Sequence, residues 1–172
     1  MHKITMLRFG EIKRQRYDEY TKRCSQINSE VIKAGRFRSN IHSMLLIEAS
    51  YNYVNDLFNI ILEVEGKALK GHFFFVRQQH YFDELISSMK QLLLVEFKNI
   101  LDQQFLSTSA AYSAGRFQNP LNDPTIQKKI EEYSDRLYRL VDDTINALRE
   151  EFKQNRNKGI LSIFKDIIGI VR

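Results

Sequence analysis

A single cysteine, Cys24, excludes an internal disulfide and any thiolate zinc site. Disulfides belong to oxidising compartments, so a chain without them is expected in a reducing, cytoplasmic setting. Two prolines and seven glycines are few breakers for 172 residues. Sparse punctuation predicts long uninterrupted elements. No β-alternation runs beyond a few residues, and there is neither an internal repeat nor a low-complexity tract. No stretch reaches the ~20 apolar residues that a membrane-spanning helix needs. The start, MHKITMLRFGEIKRQR, is too charged for a secretory leader. Tryptophan is missing, and twelve Phe and eight Tyr supply the aromatic bulk instead.

Histidine is scarce as well: His2, His42, His72 and His80. No Glu-x-x-His pair is present, so a bundle di-iron site has no ligands to build on. There is no glycine-rich phosphate loop before a lysine and no nucleophile elbow. His80 stands near Asp83 and Glu84. That grouping reads as the first turn of a helix rather than a metal site. No cofactor and no metal are expected.

What is present is helical periodicity. Residues 3–9 form either an extended arm or a helical lead-in, and 1–10 is set apart as an N-terminal arm. From Glu11 to Lys33, Tyr17, Tyr20, Cys24, Ile27 and Val31 recur at three-four spacing and share a face. Gly35 is placed to end that helix in a left-handed cap. Ser39 or Asn40 caps a second helix, expected to stop at Gly66. Its apolar residues Ile41, Met44, Leu45, Ile47, Val54, Leu57, Phe58 and Ile61 leave only a narrow polar stripe. Such a helix belongs in the middle of the core.

A third helix carries Phe82, Leu85, Ile86, Met89, Leu93, Phe97, Ile100 and Leu101 and runs to about Phe105. Residues 107–124 hold both prolines and read as a long loop. Asn122-Asp123-Pro124 then starts a fourth helix, expected to reach Asn155. Its apolar stripe, Ile126 to Phe152, keeps a spacing near the ~3.6 residues of a straight α-helix. The expected fold is all-α: an antiparallel bundle of four long helices over 1–156, plus a short amphipathic helix over 157–172.

That C-terminal segment, KGILSIFKDIIGIVR, is the most apolar run in the chain. On a helical wheel, Ile160, Leu161, Ile163, Phe164, Ile167, Ile168, Ile170 and Val171 fill one half of the circumference. Ser162, Lys165, Asp166, Gly169 and Arg172 fill the other half. Thirteen such residues make a helix of roughly 20 Å, too short to cross a bilayer. Alone in water it is marginal, so its folding is coupled to docking. Covering its apolar half is worth on the order of 10 kcal/mol before entropy is counted. The partner-docking residues are therefore Ile160, Leu161, Ile163, Phe164, Ile167, Ile168 and Val171.

Charge is uneven. Residues 1–40 hold ten Lys or Arg against four Asp or Glu, and so carry the whole net excess of +5. Lys13, Arg14, Arg16, Lys22, Arg23, Arg36 and Arg38 form a candidate basic patch, interleaved with Tyr17 and Tyr20. Such a patch suits phosphate. Within it, Arg36, Arg38 and His42 carry the residue types of a metal-independent ribonuclease, which needs charge stabilisation and proton transfer.

These readings rank as follows. The first is a non-enzymatic interaction or adaptor protein that self-associates or docks on another chain through its apolar C-terminal helix and basic N-terminal face. The second is a nucleic-acid-binding protein or ribonuclease centred on Arg36, Arg38 and His42. The third is a peripheral protein held on an anionic membrane surface by residues 159–172.

Overall fold

A computed structural model describes residues 3–37, 39–69, 78–107 and 120–154. Four long helices account for nearly all of them: α1 (Lys3–Lys33), α2 (Asn40–Leu69), α3 (Gln78–Ser107) and α4 (Pro124–Gln154). A single 3₁₀ turn, Pro120–Asn122, leads into α4. The expected C-terminal helix over 157–172, with Ile160, Leu161, Ile163, Phe164, Ile167, Ile168 and Val171, lies outside the described residues. So do Arg38, the 70–77 connection and residues 108–119 of the long loop.

Local chemistry sets the helix ends. At the end of α1, Gly35 adopts φ +66°. The Arg36 N–H donates to the Val31 carbonyl at 2.9 Å, and the Gly35 N–H to the Ile32 carbonyl at 3.0 Å. Both bonds define a Schellman cap, which suits a residue without Cβ. Ser39 caps α2, its Oγ accepting from the His42 N–H at 3.3 Å. Asp123 caps α4, its Oδ1 accepting from the N–H groups of Thr125 at 2.7 Å and Ile126 at 3.3 Å. Those bonds stabilise the carboxylate and hold Asp123 below its ordinary pKa.

α1 starts at Lys3, so of the two readings of residues 3–9 the helical lead-in holds. One boundary differs from expectation: α2 continues past Gly66 to Leu69. Gly66 is buried there, one residue after the fully buried Glu65. Packing overrides the weak helix propensity of glycine, which is a penalty of only ~1 kcal/mol.

The helices alternate up and down. Tyr20 meets Ser50 at 2.9 Å and His42 meets Asn28 at 2.7 Å, so α1 and α2 are antiparallel. Lys90–Asp142 and Arg149–Asp83 make α3 and α4 antiparallel in the same way. Asn40 bonds to Asp123, and Tyr51 stacks on Tyr133 at 4.7 Å, which makes α2 and α4 parallel. α2 packs against all three other helices, as its narrow polar stripe predicts. Ile47, Val54, Leu57, Phe58 and Ile61 have no exposed surface, while Glu48, Asn52, Asp56 and Glu63 face water. From α3, Phe82, Leu85, Met89, Leu93, Phe97, Ile100 and Leu101 enter the same core; from α4 come Ile126, Tyr133, Leu137, Val141, Ile145 and Leu148.

Candidate functional site

The basic residues of α1 are dispersed around the helix. Lys13 turns toward α3 and donates to the Glu96 carboxylate at 2.6 Å. Arg16 pairs with Glu19 at 2.7 Å. Arg23 reaches Gln26 at 3.5 Å. Arg14 lines the opposite side of the helix, in a groove of about 360 Å³ between α1 and α3 with Lys13, Tyr17 and Gln103. Lys22 and Arg36 are exposed elsewhere. Phosphate tracking requires cations aligned along one path. Helical periodicity scatters the five on α1 because their sequence spacing is irregular, and Arg38 lies outside the described residues.

His42 and Arg36 do not share a solvent-facing site. His42 is 4% exposed. One ring nitrogen, Nε2, bonds to the Asn28 side chain at 2.7 Å, and the ring lies 5.1 Å from that of Phe37. Burial disfavours the imidazolium and lowers its pKa. This is the environment of a histidine that joins two helices. Arg36 is exposed in the turn between them. His80 sits at the start of α3, its Nε2 2.9 Å from Glu84 on an exposed face, and its neighbour Asp83 is held by Arg149 instead. Among the described residues no group of His, Cys, Asp and Glu could hold a metal ion.

A second concave surface runs along α1 and α2. It has a volume of about 290 Å³ and is lined by Arg16, Glu19, Arg23, Glu48, Asn52 and Asp56 at its rims. Tyr20, Ile27, Leu45, Ala49 and Tyr53 form its floor. The two rims differ in charge. α1 contributes both guanidiniums, spaced seven residues apart, with Glu19 paired to Arg16 between them, and α2 contributes Glu48 and Asp56, spaced eight apart. Tyr20 and Tyr53 stack at 5.0 Å beneath them. Their hydroxyls are pushed well above the ordinary tyrosine pKa, chiefly by burial, so they stay protonated. They offer hydrogen bonds and no nucleophile. Cys24, also buried, has its thiol pushed up by the same cause and is inert for the same reason.

Periodicity alone does not mark the buried polar groups. Glu96 is 4% exposed and also accepts a long bond from the Tyr53 hydroxyl at 3.5 Å. Glu65 is fully buried and accepts from the Tyr81 hydroxyl at 2.6 Å. Ser50, also fully buried, bonds to Tyr20 and to the Leu46 carbonyl. One signal is legible after the fact: Glu96 and Glu65 each sit within an otherwise apolar arc of their helix. Among the described residues no helix is long and apolar enough to cross a membrane.

No family model, no curated protein and no solved structure matches this chain.

Proposed function

We propose that this chain is a non-enzymatic interaction protein, working in the reducing cytoplasm, that docks on another chain or on its own copy through residues 159–172. The observation that carries the reading is the complete separation of apolar from polar residues between Ile160 and Arg172. A surface of that size and purity is not left in water. Support comes also from what the bundle offers chemically. Several of its buried or half-buried titratable groups are engaged in bonds between helices, with Lys13 on Glu96, Tyr81 on Glu65 and His42 on Asn28. These are the contacts of a scaffold. The scatter of the basic residues and the burial of His42 weigh against the nucleic-acid readings.

Deletion of 159–172 tests the proposal. The shortened chain is expected to melt cooperatively, with oligomeric mass by light scattering or retention of a bound partner reduced. Unchanged mass together with unchanged partner retention refutes it. Flotation with anionic vesicles separates the membrane alternative, since binding of the full chain to lipid in place of protein would also refute it.

A further inference from the structure

The α1–α2 groove and the C-terminal segment carry complementary patterns of charge. Laid as a helix, residues 160–172 have an apolar half bounded by two unlike edges. Lys165 and Arg172 lie along one edge and Asp166 along the other. The groove also has unlike rims, with Arg16, Glu19 and Arg23 on α1, a net positive edge, and Glu48 and Asp56 on α2, a negative one. Its floor continues upward on α2 from Leu45 to Ile41, one turn earlier on the same face. Ile41 is 49% exposed, an apolar side chain left in water next to a groove.

A helix placed apolar side down in this groove can run in only two directions, and right-handedness fixes which edge meets which rim. Running parallel to α2, it turns Lys165 and Arg172 toward α2 and Asp166 toward α1. Lys165 then stands level with Glu48, and Arg172, about 10 Å further on, stands level with Asp56. Asp166 comes between Arg23 and Glu19, whose charge is already taken up by Arg16, and Ile160 starts near Ile41. Running the other way, the same segment sets Lys165 and Arg172 against a rim that holds Arg16 and Arg23, with Glu19 between them, and sets Asp166 against Glu48 and Asp56. The like-charge pairings then outnumber the favourable ones.

The chain's own segment is limited to the second direction. α4 is parallel to α2 and ends at Gln154, level with the far end of α2. To enter near Ile41 and run parallel to α2, Ile160 would have to stand about 40 Å back along the bundle. Residues 155–159 reach at most ~20 Å when fully extended. A second copy, lying antiparallel beside the first, delivers its segment from the correct end, and a twofold axis makes the exchange reciprocal.

We infer that the C-terminal segment of one copy occupies the α1–α2 groove of a second copy, in a dimer that exchanges the two segments. This inference rests on the docking reading above and names the partner surface. Glu48→Lys with Asp56→Lys reverses one rim without touching the core. Sedimentation of the full chain is expected to show a wild-type dimer, with dissociation of the variant strengthened by about tenfold or more. Adding Lys165→Glu and Arg172→Glu to that variant is expected to restore the dimer, and circular dichroism melts check that each variant remains folded. A monomeric wild type, or a dimer indifferent to the reversal, overturns the inference. Loss of dimer or of partner retention on deleting 159–172 would in that case leave the docking reading standing. A monomer with residues 160–171 protected from amide exchange would remove both.

Discussion

The Lys13–Glu96 pair predicts an asymmetric response to mutation. The Glu96 side chain is 5% exposed, while that of Lys13 is 40% exposed. Removing one partner of a fully buried pair typically destabilises by about 3–5 kcal/mol, because the other charge is left stranded. In Lys13→Met the stranded group is the carboxylate, deep between α1 and α3. Partial access of water through the lysine's side of the contact reduces the expected loss to about 2 kcal/mol. For a chain of this length that lowers Tm by about 4–8 °C. In Glu96→Leu the lysine can swing into solvent and the Tyr53 hydroxyl loses only a long bond, so the loss should be smaller, about 1 kcal/mol. The double variant should lose less than the two single losses combined, with a coupling of about 1–2 kcal/mol. Urea titrations of the four proteins, with m held constant as the check on two-state unfolding, give the cycle. Additive losses, or a Lys13→Met loss below about 0.5 kcal/mol, would refute the claim that this bond ties α1 to α3.

Other expectations follow from single positions. Gly10 lies inside α1 with open space where a Cβ would be, so Gly10→Ala should stabilise by about 0.5–1 kcal/mol in the same titrations. Gly35 also has open space around it, but its φ of +66° disfavours any other residue, so Gly35→Ala should destabilise by about 1 kcal/mol. Phe58→Ala, at a fully buried position on α2, should lose about 3–5 kcal/mol, while Ile32→Ala, at a position 56% exposed, should stay within about 0.5 kcal/mol. His42 is held neutral by burial, so its folded pKa lies below the unfolded value of ~6.5. The unfolded chain therefore takes up the proton first, and the stability of the wild type should fall as pH drops from ~6.5 toward the lower folded pKa. Melts between neutral and mildly acidic pH should show this fall shrinking in His42→Gln.

Helix positions and faces were legible because hydrophobic burial follows the 3.6-residue period whatever the partner. The face of Tyr20, Cys24, Ile27 and Val31 is buried as a set, and so is the α4 stripe from Ile126 to Leu148, with Ile130 only partly covered. Caps were legible for a different reason. Asp123-Pro124 and Gly35 act through local geometry that needs no tertiary contact. Gly66 shows where local signals end. Nothing nearby in sequence reveals that α2 is packed on three sides and can carry a glycine through to Leu69.

The candidate sites were less legible, because charge has no period that burial enforces. Eight cations crowded into residues 13–38 look like a patch when counted along the chain. On the helix, Lys13 belongs to Glu96 of α3, 83 residues away, and Arg16 is spent on Glu19 one turn on. His42 and Arg36 are close in sequence yet fall on opposite sides of a burial boundary, His42 in the α1–α2 contact and Arg36 in water. Glu96 is the converse case: an acidic residue that the periodicity does not single out lies inside. Both placements have one physical origin. A charge takes its position from a partner supplied by another helix, and that partner is known only once the helices are packed. The rims of the α1–α2 groove follow this rule too, since Arg23 and Glu48 stand across one groove only because α1 and α2 fold back on each other at Gly35.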